Sequence, residues 1–99
     1  MRTRDKSFRD YGIDPDEEKQ LKRLCKSAEF SYHDILLQAA VSSNPVIAPD
    51  LYYSLASGVS YEKINNIKRI CLAKNDFYGY QRKCLSIFKN LLTILGKWE

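Results

Sequence analysis

From Phe77 to Leu95 the chain carries one long amphipathic run without proline, closed by Gly96. Phe77, Tyr80, Cys84, Phe88, Leu91 and Leu95 recur at helical spacing. Arg82, Lys83, Ser86, Lys89, Asn90 and Thr93 lie opposite. The pattern predicts a helix over about 77–95, opened by Asn75 or Asp76 and stopped by the glycine. With Leu85, Ile87, Leu92 and Ile94 included, the apolar arc spans roughly 180°, wider than the roughly 100° that faces one core. Two readings of that width stand. The helix is the central buried element, or Ile87, Ile94 and Trp98 form a second surface, a dimer seam or a partner contact.

The rest of the chain punctuates into shorter helices. Asp14-Pro15-Asp16-Glu17 has the spacing of a capping box with proline at the first helical position. It predicts a helix over about 15–28, with Leu21, Leu24, Cys25 and Ala28 on one face. Ser31-Tyr32-His33-Asp34 opens a second helix, with Ile35, Leu36, Ala39 and Ala40 inward, and Asn44-Pro45 ends it. A third starts near Pro49, turns Leu51, Leu55 and Tyr52 inward, and stops at Gly58. Ser60 caps a short fourth helix whose inner side carries Tyr61, Ile64 and Ile67. The alternation of Ile70 and Leu72 suggests an extended connector, too short to build a sheet. The expectation is an all-α fold of about five helices: a charged arm over 1–12 and a single helical domain over 13–99.

Ninety-nine residues leave room for one core. No apolar run reaches the length of a membrane-spanning helix. No apolar stretch follows the basic N-terminus, so no secretion signal is expected, and the expected location is the cytoplasm of a bacterial host. Three cysteines suit a reduced compartment, where Cys25, Cys71 and Cys84 fill apolar positions. Glycine-rich phosphate loops, Cys-x-x-Cys, His-Glu-x-x-His and Gly-x-Ser-x-Gly are all missing. The single histidine, His33, reads as a surface or capping residue. No enzyme, metal site or cofactor is expected.

Charge is unevenly placed. Residues 1–50 hold 8 Lys/Arg against 9 Asp/Glu, and residues 51–99 hold 8 against 3. From Lys63 to Lys89, seven cations face one acid, Asp76. A basic second half points to a polyanionic partner. Two short helices around a glycine turn, then a longer basic helix, have the layout of a helix-turn-helix within residues 50–95. The first turns of the last helix would enter a major groove, where Gln81 can pair with adenine and Arg82 with guanine. Lys63, Lys68, Arg69 and Lys74 would hold phosphates. Asn75, Tyr78 and Lys83 complete the candidate surface.

Gly58-x-Ser60-Tyr61-Glu62-x-Ile64, followed by Phe77-Tyr78-x-Tyr80-x-Arg82-Lys83-x-Leu85, resembles the sigma-70 region 4-like helix-turn-helix of small phage late-transcription regulators. The likeness spans about 40 residues, roughly 51–92. It implies DNA-facing roles for Tyr78, Gln81, Arg82 and Lys83, and a duplex-binding transcription regulator encoded by a phage or mobile element. The sequence departs from that pattern at 65–74, where the connector is several residues longer. The competing expectation is a small phage-encoded inhibitor of a host enzyme, such as an anti-CRISPR protein, with Tyr52, Tyr53, Tyr61, Tyr78, Tyr80 and Trp98 as candidate anchors or as core-lining rings. A third is single-strand binding by stacking on Phe77, Tyr78 and Tyr80.

Overall fold

Asp14 opens the first helix through a reciprocal pair of bonds. Its carboxylate accepts from Glu17 N–H at 2.8 Å, and the Glu17 carboxylate accepts from Asp14 N–H at 3.3 Å. The computed structural model describes residues 13–27, 30–70 and 72–98, with the side chain of Phe30 left aside. Among these residues the protein is all-α, with five helices and no strand. They are α1 (Pro15–Cys25), α2 (Phe30–Ser43), α3 (Ala48–Ser57), α4 (Tyr61–Ile67) and α5 (Lys74–Ile94). The expected arm over 1–12 lies outside the described residues.

Helix α5 runs through the middle of the molecule and makes its most extensive contact with α2. The two are antiparallel. Ser43 at the end of α2 donates its hydroxyl to the Tyr80 carbonyl at 2.8 Å. At the other end, the Lys97 ammonium lies 5.5 Å from the centre of the Tyr32 ring. Phe77, Cys84, Leu85, Phe88 and Leu92 of α5 are fully buried, with Leu36 of α2, Leu51 of α3, and Leu21 and Cys25 of α1. Ile35, Ala39 and Ala40 complete the expected inner face of α2.

Several expected boundaries shift. Helix α1 closes at Cys25 rather than near 28, because Lys26 N–H and Ser27 N–H bond back three residues, to Arg23 and Leu24. Helix α5 begins at Lys74, so Asn75 and Asp76 sit inside its first turn and Ala73 takes the cap position without a side-chain bond. The buried seam of α5 also turns relative to expectation. It runs through Phe77, Gln81, Cys84, Leu85, Phe88 and Leu92. Tyr80 and Leu91 are half-buried at its edge, and Leu95 is 56% exposed. Ile67, expected inward, is 84% exposed. It is the last residue of α4, where Lys68 N–H closes the helix onto the Ile64 carbonyl, and the inward contacts of α4 are made by buried Ile64 and half-buried Tyr61. Gly58 and Gly96 end α3 and α5 as expected, both at φ 72°.

Cys25 and Cys84 are free and buried. Loss of hydration pushes the Cys84 thiol up to about 12. Burial raises Cys25 strongly as well, with a further push from Cys84. In a Cys71→Ser background, neither thiol should react with an aromatic disulfide reagent at about pH 8, and both should react in guanidinium. A native thiol reacting at the rate of a free cysteine would contradict this packing.

Candidate nucleic-acid interface

A seven-residue helix such as α4 has little stability of its own, so its place depends on what holds it. Ser60 caps it, accepting from Lys63 N–H at 3.3 Å. Three rings then fix it to the start of α5. Tyr61 lies 5.4 Å from Phe77 and 6.5 Å from Tyr78, while Phe77 and Tyr78 meet edge-on at 5.7 Å. The Tyr78 hydroxyl accepts from Tyr61 N–H at 3.2 Å. The Tyr61 hydroxyl donates to the Leu72 carbonyl at 2.7 Å.

The connector over 68–73 is tied down by the same logic. Ile70 N–H donates to Asn65 Oδ1 at 2.9 Å, and Ile70 is buried. The backbone is extended at Lys68, as expected, but forms no strand among the described residues. Lys68 reaches back to Asp50 of α3 at 3.2 Å. Lys74 pairs with Glu62 of α4. The bond from Lys74 holds the Glu62 carboxyl below its ordinary range, and Glu62 in turn raises Lys74.

These ties bring most of the expected DNA-facing residues onto one unit. Lys63, Lys68, Arg69, Lys74 and Asn75 are exposed on α4, the connector and the first turn of α5. Arg69 and Lys63 carry no ion pair among the described residues. Arg82 and Lys83 are half-buried one to two turns further on, and Arg82 is engaged by a neighbour. Lys89 pairs with Glu17 at 2.8 Å and so binds α5 to α1.

Gln81 is corrected by the structure. It is only 8% exposed, and its Nε2 donates to the Ser54 hydroxyl at 3.1 Å. The Ser54 hydroxyl donates in turn to the Val59 carbonyl at 2.6 Å. Gln81 therefore joins α5 to the α3–α4 turn and is not placed to meet a base. Tyr78 is half-buried, with its hydroxyl oxygen engaged by α4. Of the proposed seam, Ile94 is 78% exposed, while Ile87 and Trp98 are half-buried against the core. Phe77 is fully buried, which removes one of the three proposed stacking rings, and Tyr78 and Tyr80 are both half-buried.

Sequence reasoning missed His33 as a tertiary tie. Its Nδ1 is 2.7 Å from the Tyr52 hydroxyl, and Nε2 bonds the Ser27 carbonyl. One side chain thus joins α2 to α3 and to the α1–α2 loop. The only signal was a histidine one turn into a helix, which does not name a partner. His, Cys, Asp and Glu form no cluster fit for a metal among the described residues. None of them spans a membrane as a long apolar helix. No family model, curated protein or solved structure matches this chain.

Gln81→Ala should lower the unfolding free energy by about 1–3 kcal/mol, the cost of stranding a buried bonding partner. Urea denaturation measures it. A change within about 0.5 kcal/mol, ordinary for a surface residue, would contradict the buried placement.

Proposed function

We propose that the protein binds duplex DNA through α4, the connector and the opening turns of α5, and acts as a transcription regulator. The observation that carries this reading is the exposed cationic rim formed by Lys63, Lys68, Arg69 and Lys74 around one helix oriented by ring contacts to α5, with Asn75 beside it. Between Ser60 and Asn75 only Glu62 is acidic. Cations held at fixed positions suit phosphates that repeat along a duplex.

The ring cluster of Tyr61, Phe77 and Tyr78 sets the angle between α4 and α5. Phosphates gripped by Lys63 and Arg69 would then fix how α5 approaches the groove. Arg82 and Lys83 are the groove-side candidates on α5. Ile67, bare among these cations, offers an apolar contact to a thymine methyl or a sugar. The Lys74–Glu62 pair is no obstacle, since an exposed pair is worth about 0–1 kcal/mol, whereas Lys68 also neutralises the buried Asp50 carboxylate. The helix-turn-helix resemblance supports the same assignment.

A second reading, a protein partner such as a host enzyme that this chain inhibits, is favoured by Ile94 and Leu95, bare at the end of α5. The two separate by experiment. Fluorescence anisotropy of a labelled duplex at 50 and 200 mM salt should show steep loss of affinity. The double variant Lys63→Gln/Arg69→Gln should reduce the log–log salt slope by about 2, roughly one per phosphate contact. Absent binding at 50 mM salt, or an unchanged slope in the variant, would overturn the DNA reading.

A further inference from the structure

From Ile35 to Tyr61, twenty-seven residues run with a single charged side chain, Asp50. The chain as a whole is 28% charged, so a stretch of this length would ordinarily carry about seven. Asp50 is itself buried and is answered by Lys68 at 3.2 Å. The stretch covers most of α2, the turn after it, all of α3 and the first residue of α4. Lack of charge suits a segment sealed inside a core, yet this one is not sealed. Leu37 is 43% exposed, Val41 49%, Val46 78% and Tyr53 48%. Pro45 and Pro49 are exposed as well.

These residues share the outer side of the α2–α3 hairpin. Ile35, Leu36, Ala39, Ala40 and Ser43 turn α2 to the core, and Leu37 and Val41, one turn apart, lie nearly opposite. Pro49 and Tyr53 are one turn apart on the exposed side of α3. The His33–Tyr52 bond ties the two helices together. Leu37 is one turn along α2 from His33, and Pro49 is one turn along α3 from Tyr52, so both stripes border that tie. Pro45 and Val46 close the end of the hairpin, where Asn44 Oδ1 accepts from Val46 N–H at 3.0 Å. Single exposed apolar residues are ordinary on a surface. Six together with no exposed charge among them have instead the composition of an interface centre, depleted of charge and carrying an aromatic ring. Asp34, exposed one turn before Leu37, marks the polar edge.

The lack of charge selects the occupant. Such a face offers no cation to a phosphate or to an acidic peptide. The protein carries a net charge of +4, and a two-fold symmetric contact sets one patch against the same patch of a second copy. The exposed sides of α1, α4 and α5 present Arg23, Lys63 and Lys74, so each would meet its own cations in such a contact. Among the described helices, the hairpin face can meet itself without that repulsion. We propose that the protein forms a symmetric dimer through the outer face of the α2–α3 hairpin, with Leu37, Val41, Val46 and Tyr53 at the centre of the seam. Six side chains from each copy fall short of the roughly 20–30 residues of a standard interface, so the dimer is weak and depends on concentration. The seam differs from the one expected at Ile87, Ile94 and Trp98. It lies apart from α4, the connector and α5, so it does not rest on the DNA reading.

Sedimentation equilibrium of the whole protein, from about 10 µM to about 1 mM, tests this. The average mass should rise from one copy toward two, with a single dissociation constant. Val41→Lys and Tyr53→Lys, on different helices, should each raise that constant at least tenfold, because every copy then brings an ammonium into the seam. Both positions are exposed, and circular dichroism checks that both variants fold. Ile94→Lys should leave the constant within about twofold, as an ordinary surface change does. A mass that stays at one copy throughout, or a dimer that either hairpin variant leaves intact, would overturn the seam. So would a dimer lost in Ile94→Lys alone, which would move the contact to the end of α5. Flotation of the monomer with phosphatidylcholine vesicles, in place of self-association, would assign the face to lipid and overturn the dimer equally.

Discussion

Everything else in this fold hangs on the burial of one seam along α5. Phe77, Cys84, Leu85, Phe88 and Leu92 are removed completely from water. Burying a side chain of the Leu or Phe class stabilises by about 1.5–3 kcal/mol. The helix has no side-chain cap at its start, so it owes its persistence to packing more than to local signals. Helix α2 lies antiparallel along it, and α1, α3 and α4 each contact it as well. The wide apolar arc of α5 is thus mostly explained by a central position, with Ile94 left over at its end.

The basic unit is a light attachment to that mast. Helix α4 is seven residues, barely two capped turns. Its direction is set by the rings of Tyr61, Phe77 and Tyr78, and the connector by bonds from Asn65 and Tyr61. Lys63, Arg69 and Lys74 inherit fixed positions from these contacts rather than from the connector's own stiffness. The Gln81–Ser54–Val59 chain of bonds extends the same support to the α3–α4 turn.

Much of the architecture was legible because it is written in local chemistry. The Asp14–Glu17 box, the Ser60 cap and the two stop glycines act within a few residues of themselves, and each appears where its spacing places it. What was not legible depends on distant partners. Gln81 reads as polar and outward until Ser54 supplies a buried bond. Gln81, Leu85 and Leu92 occupy the buried seam in place of Tyr80, Leu91 and Leu95. Asn75 and Asp76 are good caps, yet α5 starts before them, next to a connector already held by Tyr61 and Asn65. His33 gave no sequence sign of its two tertiary bonds. The candidate surface was legible as a cluster of charge, because Lys63, Lys68, Arg69 and Lys74 are close in sequence as well as in space. Its groove-reading members were less so, since facing direction on α5 depends on the seam.

Native-state hydrogen exchange tests the central role of α5 most directly. Amides of α5 between Gln81 and Leu92 should exchange slowest, together with those of α2 between Leu36 and Ser43, at one shared free energy equal to global unfolding. Amides of α4 should open at lower free energy, consistent with a helix held on by its neighbours. The account would be contradicted if α5 opened separately from α2 at lower free energy, or if α4 matched them both in protection.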